Sequence, residues 1–181
     1  MNLALPEADY GIRTAPDTVR VERLLPGPIE RVWDYLTDPD LRAQWFAGGA
    51  MAPRVGGAIA LQFHNSALTE NDDPPPAKYA EYDDARMGGT VLAYDPPHAL
   101  AFTFGDGEAP SHVRFDLDRQ GDQVRLVVTH TRLATREGML SVAAGWHAHL
   151  NILRARLTGD APDGLWRTHT RLEAEYAERL P

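Results

Sequence analysis

The chain contains no cysteine. That absence removes disulfides, thiol nucleophiles and thiolate metal sites. It has no run of about 18 apolar residues, so no segment is expected to cross a bilayer as a helix. Its opening residues, MNLALPEADYGIR, lack a basic stretch followed by an apolar one, and no secretory leader is expected. Positive charge is scarce: 18 Lys and Arg stand against 26 Asp and Glu, for a net charge of -8. That balance argues against nucleic acid or an anionic membrane as partner. Catalytic signatures are missing too. No G-x-S-x-G surrounds Ser66 or Ser141, no H-E-x-x-H occurs, and Val55-Gly56-Gly57 is too short for a phosphate loop. The acidic residues Glu70, Asp72, Asp73, Glu81, Asp83 and Asp84 lack EF-hand spacing and read as a solvated loop. The default expectation is a cytoplasmic protein with no metal and no cofactor.

What the 181 residues do have is apolar content, 43% hydrophobic, enough for a real core. It is organised around Met139 to Leu157. There Met139, Val142, Trp146, Leu150, Leu153 and Leu157 recur at steps of three and four, within about 40° of a common direction around a helix axis. Gly159 is the expected stop, with Pro162 beyond it. Arg154 and Arg156 fall off the stripe, towards solvent. His149 flanks it and His147 lies near the solvent boundary.

Before this helix, residues 1–16 read as a loose arm. The run from Thr18 to Leu25 alternates as a strand. Pro28 opens a helix with Ile29, Val32, Trp33 and Leu36 inward, and a second short helix follows, with Asp40 or Asp38 as its cap and Leu41, Trp45 and Phe46 on its buried side. Ala58 to His64 alternates again. Asn65 to about Arg86 has no period and contains Pro74-Pro75-Pro76, so it is either functional or mobile. Four more strands follow, about Met87 to Tyr94, Leu100 to Phe104, His112 to Asp118 and Gln123 to Leu133. A final helix is expected from Leu165 to Leu180, with Trp166, His169, Leu172 and Tyr176 inward. The sum is an α+β chain: a curved six-stranded antiparallel sheet, two short helices after the first strand, and the long helix covering one face. Bends are expected at Gly56-Gly57 and Gly88-Gly89. Residues 17–181 read as one domain, with 158–181 as an added C-terminal helix.

Three stretches, IERVWDYLTDPDLRAQWFAGG, LVVTHTRL and GWHAHLNIL, carry a resemblance over about residues 18–158. They look like the helix-grip superfamily of START lipid-binding domains, polyketide cyclases and the birch-pollen allergen group. Within it, the chain resembles the branch named after the activator of the Hsp90 ATPase. The resemblance implies a helix-grip (START-like) fold with a ligand cavity between sheet and long helix. The additional N-terminal domain of the cochaperone is not expected here.

The ligand-binding candidates are Trp45, Phe46, Phe63, Phe102, Phe104, Phe115, His130, Trp146 and His149. The aromatics sit on faces that should converge as walls. His130 shares a face with Leu126 and Val128, so it points inward if they do, and His149 could reach the same space. Either histidine would anchor a polar group, or else would simply be hydrogen-bonded at a sheet–helix contact. His147 and His149, two apart on a helix, do not face one metal. The leading reading is a small apolar or amphipathic ligand. A protein-interaction module such as a chaperone regulator, a homodimer, and a cyclase- or hydrolase-type enzyme are the alternatives.

Overall fold

The computed structural model describes residues 6–181; the first five residues of the expected arm lie outside the described residues. Alternation builds the sheet. β1 (Ile12–Ala15) and β2 (Thr18–Pro26) come first; β3 (Ala47–Gly48) and β4 (Ala58–Phe63) follow the short helices. β5 (Arg86–Asp95), β6 (Ala99–Phe104), β7 (Ser111–Gln120) and β8 (Gln123–Thr131) complete it. β2, β7 and β8 each turn one apolar row inward, for example Val113, Phe115 and Leu117 on β7. The β7–β8 hairpin closes through Gly121-Asp122, with Gln120 opposite Gln123. Gly121 sits at φ +63°, where a glycine carries no Cβ penalty.

The sheet is antiparallel throughout, in the order β1-β2-β8-β7-β6-β5-β4-β3. It has eight strands, not the expected six. The two extra strands, β1 and β3, lie at its edges. Neither has a pattern of its own: β1 is exposed or half-buried along its length and β3 is two residues long. Both are strands because a neighbour offers a ladder to pair with, which apolar periodicity does not report. Residues 12–15 of the expected arm are therefore an edge strand. The register of β5 breaks between Val91 and Ala93, where the strand leaves β4 and joins β6. That is just beyond the expected bend at Gly88-Gly89. Gly89 is still required: a Cβ there would lie 2.1 Å from the carbonyl oxygen of Thr103.

α1 (Ile29–Thr37) packs against β7 and β8, and α2 (Pro39–Arg42) lies beside β3. The Asp38 carboxylate caps α2 by accepting from the Asp40 and Leu41 N–H groups. Arg42 is buried, and its guanidinium donates to the carbonyls of Ala47 and Gly49. Those bonds fix the turn that sends Trp45 and Phe46 into the core.

α3 (Arg136–Thr158) is capped by the Thr135 hydroxyl and ends at Gly159, φ +81°. Its stripe is buried, with Val142 half-buried. Leu140, Ala143, Ala144, Ala148 and Ile152 are buried as well. The reason is α4 (Leu165–Arg179), which packs against α3 through Trp166, His169, Leu172 and Tyr176. α3 is thus a middle layer, apolar nearly all round. The same covering corrects the expectation for His147. His147 is 0% exposed rather than near solvent. Arg154 pairs with Asp9 at 2.6 Å, and Arg156 donates to the carbonyls of Gln44 and Leu68.

Candidate functional site

A cavity of about 450 Å³ lies under the N-terminal half of α3. Strand alternation supplies one side: Phe63 from β4, Met87 from β5, Phe104 from β6 and His130 from β8. The turn after α2 supplies Phe46. α3 contributes Val142, Gly145, Trp146 and His149. The roof comes from two places far apart in sequence, the 65–85 segment and the start of α4, with Asn65, Tyr79, Trp166 and His169 as its principal lining.

At the inner end, five rings form a closed belt. The ring centres of Phe46 and Phe63 are 5.2 Å apart, those of Phe63 and Phe104 6.3 Å, and those of Phe104 and His130 5.4 Å. His130 to Trp146 is 6.2 Å, and Trp146 returns to Phe46 at 5.0 Å. Most of these pairs meet edge to face, the arrangement aromatic quadrupoles favour. His149 adds an edge contact to Phe46 at 5.3 Å.

Six of the nine candidates therefore meet at the cavity, and three do not line it. Trp45 is fully buried behind Phe46, stacked at 5.4 Å, with its indole N–H donated to the Tyr35 carbonyl. Phe115 packs edge-on against Trp146 at 5.6 Å, and Phe102 lies against Phe115 at 6.0 Å. These two form a layer behind the belt. They lie further along the inner face of the sheet, under α3, than the open space extends.

Hydrogen bonding assigns the histidines. Trp146 donates its N–H to Nδ1 of His130 at 3.0 Å, so the proton of neutral His130 is on Nε2, donated to Ser111 Oγ at 2.7 Å. His130 faces inward, yet both of its nitrogens are engaged by the protein. Its role is to hold Trp146. His149 is different. Its Nδ1–H donates to the Trp45 carbonyl at 2.8 Å, which leaves Nε2 a lone-pair acceptor without a partner among the described residues. Burial pushes the pKa of both His130 and His149 down to about 4, so each is neutral at physiological pH. His169 donates Nε2–H to the Ser141 carbonyl, and burial lowers its pKa too.

Lys78 is the one lysine at the cavity; its ammonium is hydrogen-bonded to Glu173, which also accepts from the Tyr79 hydroxyl at 2.6 Å. Of the loop carboxylates expected to be solvated, Glu70, Asp73, Glu81 and Asp84 are exposed, whereas Asp72 and Asp83 are half-buried and hold α4. Asp72 accepts from the backbone N–H of Trp166 and Arg167, capping α4 from across the fold. Asp83 accepts from the Trp166 indole and the Ser66 hydroxyl. Among the described residues, no group of three or more His, Asp or Glu side chains is arranged to hold a metal. No helix among them is long and apolar enough to cross a membrane.

Sequence reasoning missed the share of the roof that α4 supplies. Trp166 and His169 were placed on the inner face of α4, but nothing in their spacing says which part of the core that face meets. Gly145 was the signal available: a lone glycine inside a strong helical pattern costs about 1 kcal/mol relative to alanine, which marks the position out. Nothing lies within 4 Å of where its Cβ would be.

The model of the family described as "Activator of Hsp90 ATPase homolog 1-like protein" matches residues 26–158. Among solved structures, a protein encoded by gene BPP1335 of Bordetella parapertussis is 47% identical, with 98% of this chain and 96% of that one covered and a TM-score of 0.77. CalU16 from Micromonospora echinospora is 21% identical over 93% of both chains, with a TM-score of 0.65. The Aha1 dimer from Colwellia psychrerythraea is 16% identical, covering 77% of this chain and 95% of its own, at a TM-score of 0.59. The last two share the fold. No protein of curated function matches.

Proposed function

The chain belongs to the Activator of Hsp90 ATPase homolog 1-like family, and we propose that this member holds a small, largely apolar molecule in the cavity beneath α3. The observation that carries the reading is the closed belt of Phe46, Phe63, Phe104, His130 and Trp146 around one end of a 450 Å³ space. That volume lies within the range of small-molecule sites, about 300–1,000 Å³. Aromatic walls supply affinity through buried area, and few polar groups are needed to orient what binds.

Gly145 provides the test. Gly145→Phe places a ring in the open space under α3, whereas Gly145→Ala fills little of it. Wild type should bind Nile red at a single site, and native mass spectrometry should detect a co-purified molecule. Gly145→Phe should abolish dye binding with the far-ultraviolet circular dichroism unchanged. Gly145→Ala should retain binding and gain about 0.4–1 kcal/mol in urea denaturation. Equal dye binding by wild type and Gly145→Phe would place the dye elsewhere and remove the reading.

One atom favours a second reading, an enzyme using the same cavity. Nε2 of His149 is an oriented nitrogen with a free lone pair, the geometry a general base requires. Discrimination is direct: such an enzyme would turn over a bound molecule and lose that turnover, not the binding, in His149→Gln.

A further inference from the structure

The donors at the cavity wall are largely spent on the protein. The indole N–H of Trp146 goes to His130, and that of Trp166 to Asp83 at 2.8 Å. His130 gives its one proton to Ser111, and His169 gives its own to the Ser141 carbonyl. Tyr79 and Lys78 both donate to Glu173, and the Asn65 amide donates to the Tyr82 carbonyl. The exceptions are neutral hydroxyls: that of Tyr82 at the exposed rim, and those of Thr135 and Ser141, which donate to no acceptor among the described residues. Beyond those hydroxyls, which carry no charge, what remains on the wall is acceptor capacity. Nε2 of His149 has no partner, and Glu137, at the mouth, makes no ion pair among the described residues.

Charge points the same way. His130, His149 and His169 are neutral at pH 7. Lys78 is neutralised by Glu173. A carboxylate drawn into this space would lose its water and meet no free cation, which is costly. An uncharged molecule with a hydroxyl or N–H would lose its water too, but would regain a hydrogen bond at His149.

We infer that the cavity selects uncharged aromatic molecules carrying a hydroxyl or N–H donor, received by Nε2 of His149, and discriminates against aromatic carboxylates. This rests on the small-molecule reading above and adds the ligand's chemistry to it. The belt takes the ring, and the backbone carbonyl of Trp45 fixes the imidazole so that its free nitrogen is the acceptor. His149 is 8% exposed and Trp45 is fully buried, so neither can turn away without disturbing the core.

Three probes of one shape separate the elements of this inference: 2-naphthol, 2-methoxynaphthalene and 2-naphthoate, titrated calorimetrically at neutral pH. The naphthol should bind about tenfold more tightly than its methyl ether, the upper end of a net hydrogen bond. The naphthoate should bind more weakly than either. In His149→Leu the naphthol's advantage over the ether should vanish, and in His149→Gln, which restores an acceptor oxygen, part of it should return. Equal affinity for naphthol and ether in the wild type, or preference for the naphthoate, would overturn the inference while leaving the cavity a binding site. Binding of none of the three would overturn both. The wild-type comparison decides the matter without any variant that must fold.

Discussion

Trp146 joins the packing of the core to the shape of the cavity. It is 4% exposed, touches Phe46 and Phe115 with its ring, and gives its N–H to His130. The two contributions separate by substitution. Trp146→Ala should cost about 3–5 kcal/mol, the range for truncating a buried large aromatic. Trp146→Phe keeps a ring but leaves Nδ1 of His130 without its donor, a loss of about 1–3 kcal/mol for a buried unpaired group. Urea denaturation of both variants checks the order; a Phe variant as unstable as the Ala variant would mean that the hydrogen bond outweighs the packing. At this scale the sequence was informative wherever a side chain follows the period of its own element. Alternation places Phe63, Phe104 and His130 on inner faces and helical spacing places Trp146 there, and these four line the cavity together with Phe46 and His149. It was uninformative about depth along a strand: Phe102 and Phe104 share a side of β6, but only Phe104 reaches open space. Nor could spacing reveal that a second helix would seal His147, whose Nδ1 lies 2.8 Å from the Tyr176 hydroxyl.

Elements with their own periodicity were legible, and those created by neighbours were not. The six patterned strands, the first helix, α3 and α4 fall within a few residues of their expected bounds. β1 and β3 exist by pairing alone. The 65–85 segment contains two short 3-10 turns, Asn65–Ala67 and Ala77–Tyr82, and is held to α4 chiefly through side chains: Asp72, Asp83, Lys78 and Tyr79. Such fastening leaves most of its backbone amides outside any ladder. Hydrogen exchange should therefore be faster over residues 66–84 than over Leu126 to Thr131 in β8. Glu173 is the common partner of Lys78 and Tyr79. Glu173→Gln should raise exchange in residues 77–82 and speed dye release from the cavity, with little change in thermal midpoint. Unchanged release kinetics would show that the roof opens elsewhere.

For the whole molecule, the buried histidines set an acid limit. Burial holds His130 and His149 at about 4 and His147 at about 3, against an ordinary value of 6.5. Between about pH 6.5 and those values the unfolded chain takes up protons that the folded chain refuses. The free energy of unfolding therefore falls as pH falls through that window, by on the order of 1 kcal/mol per pH unit for each group. Asp9, held below its usual range by Arg154 and Arg23 despite its burial, adds a loss in the same direction at lower pH still. Denaturation midpoints measured from neutral pH down to about pH 5 should decline steadily; a flat profile would mean that these imidazoles are open to water.

The roof has a consequence for how this architecture diversifies. Every ring of the aromatic belt, and His149 beside it, lies within the stretch shared with the family, residues 26–158. Leu165, Trp166 and His169, which complete the ceiling, lie beyond that stretch on α4. The belt thus lies in the part of the chain that the family model matches, and half of its cover is supplied from α4, outside that part. Grafting a different terminal helix onto the same body would change which shapes are admitted and leave the interior chemistry as it stands.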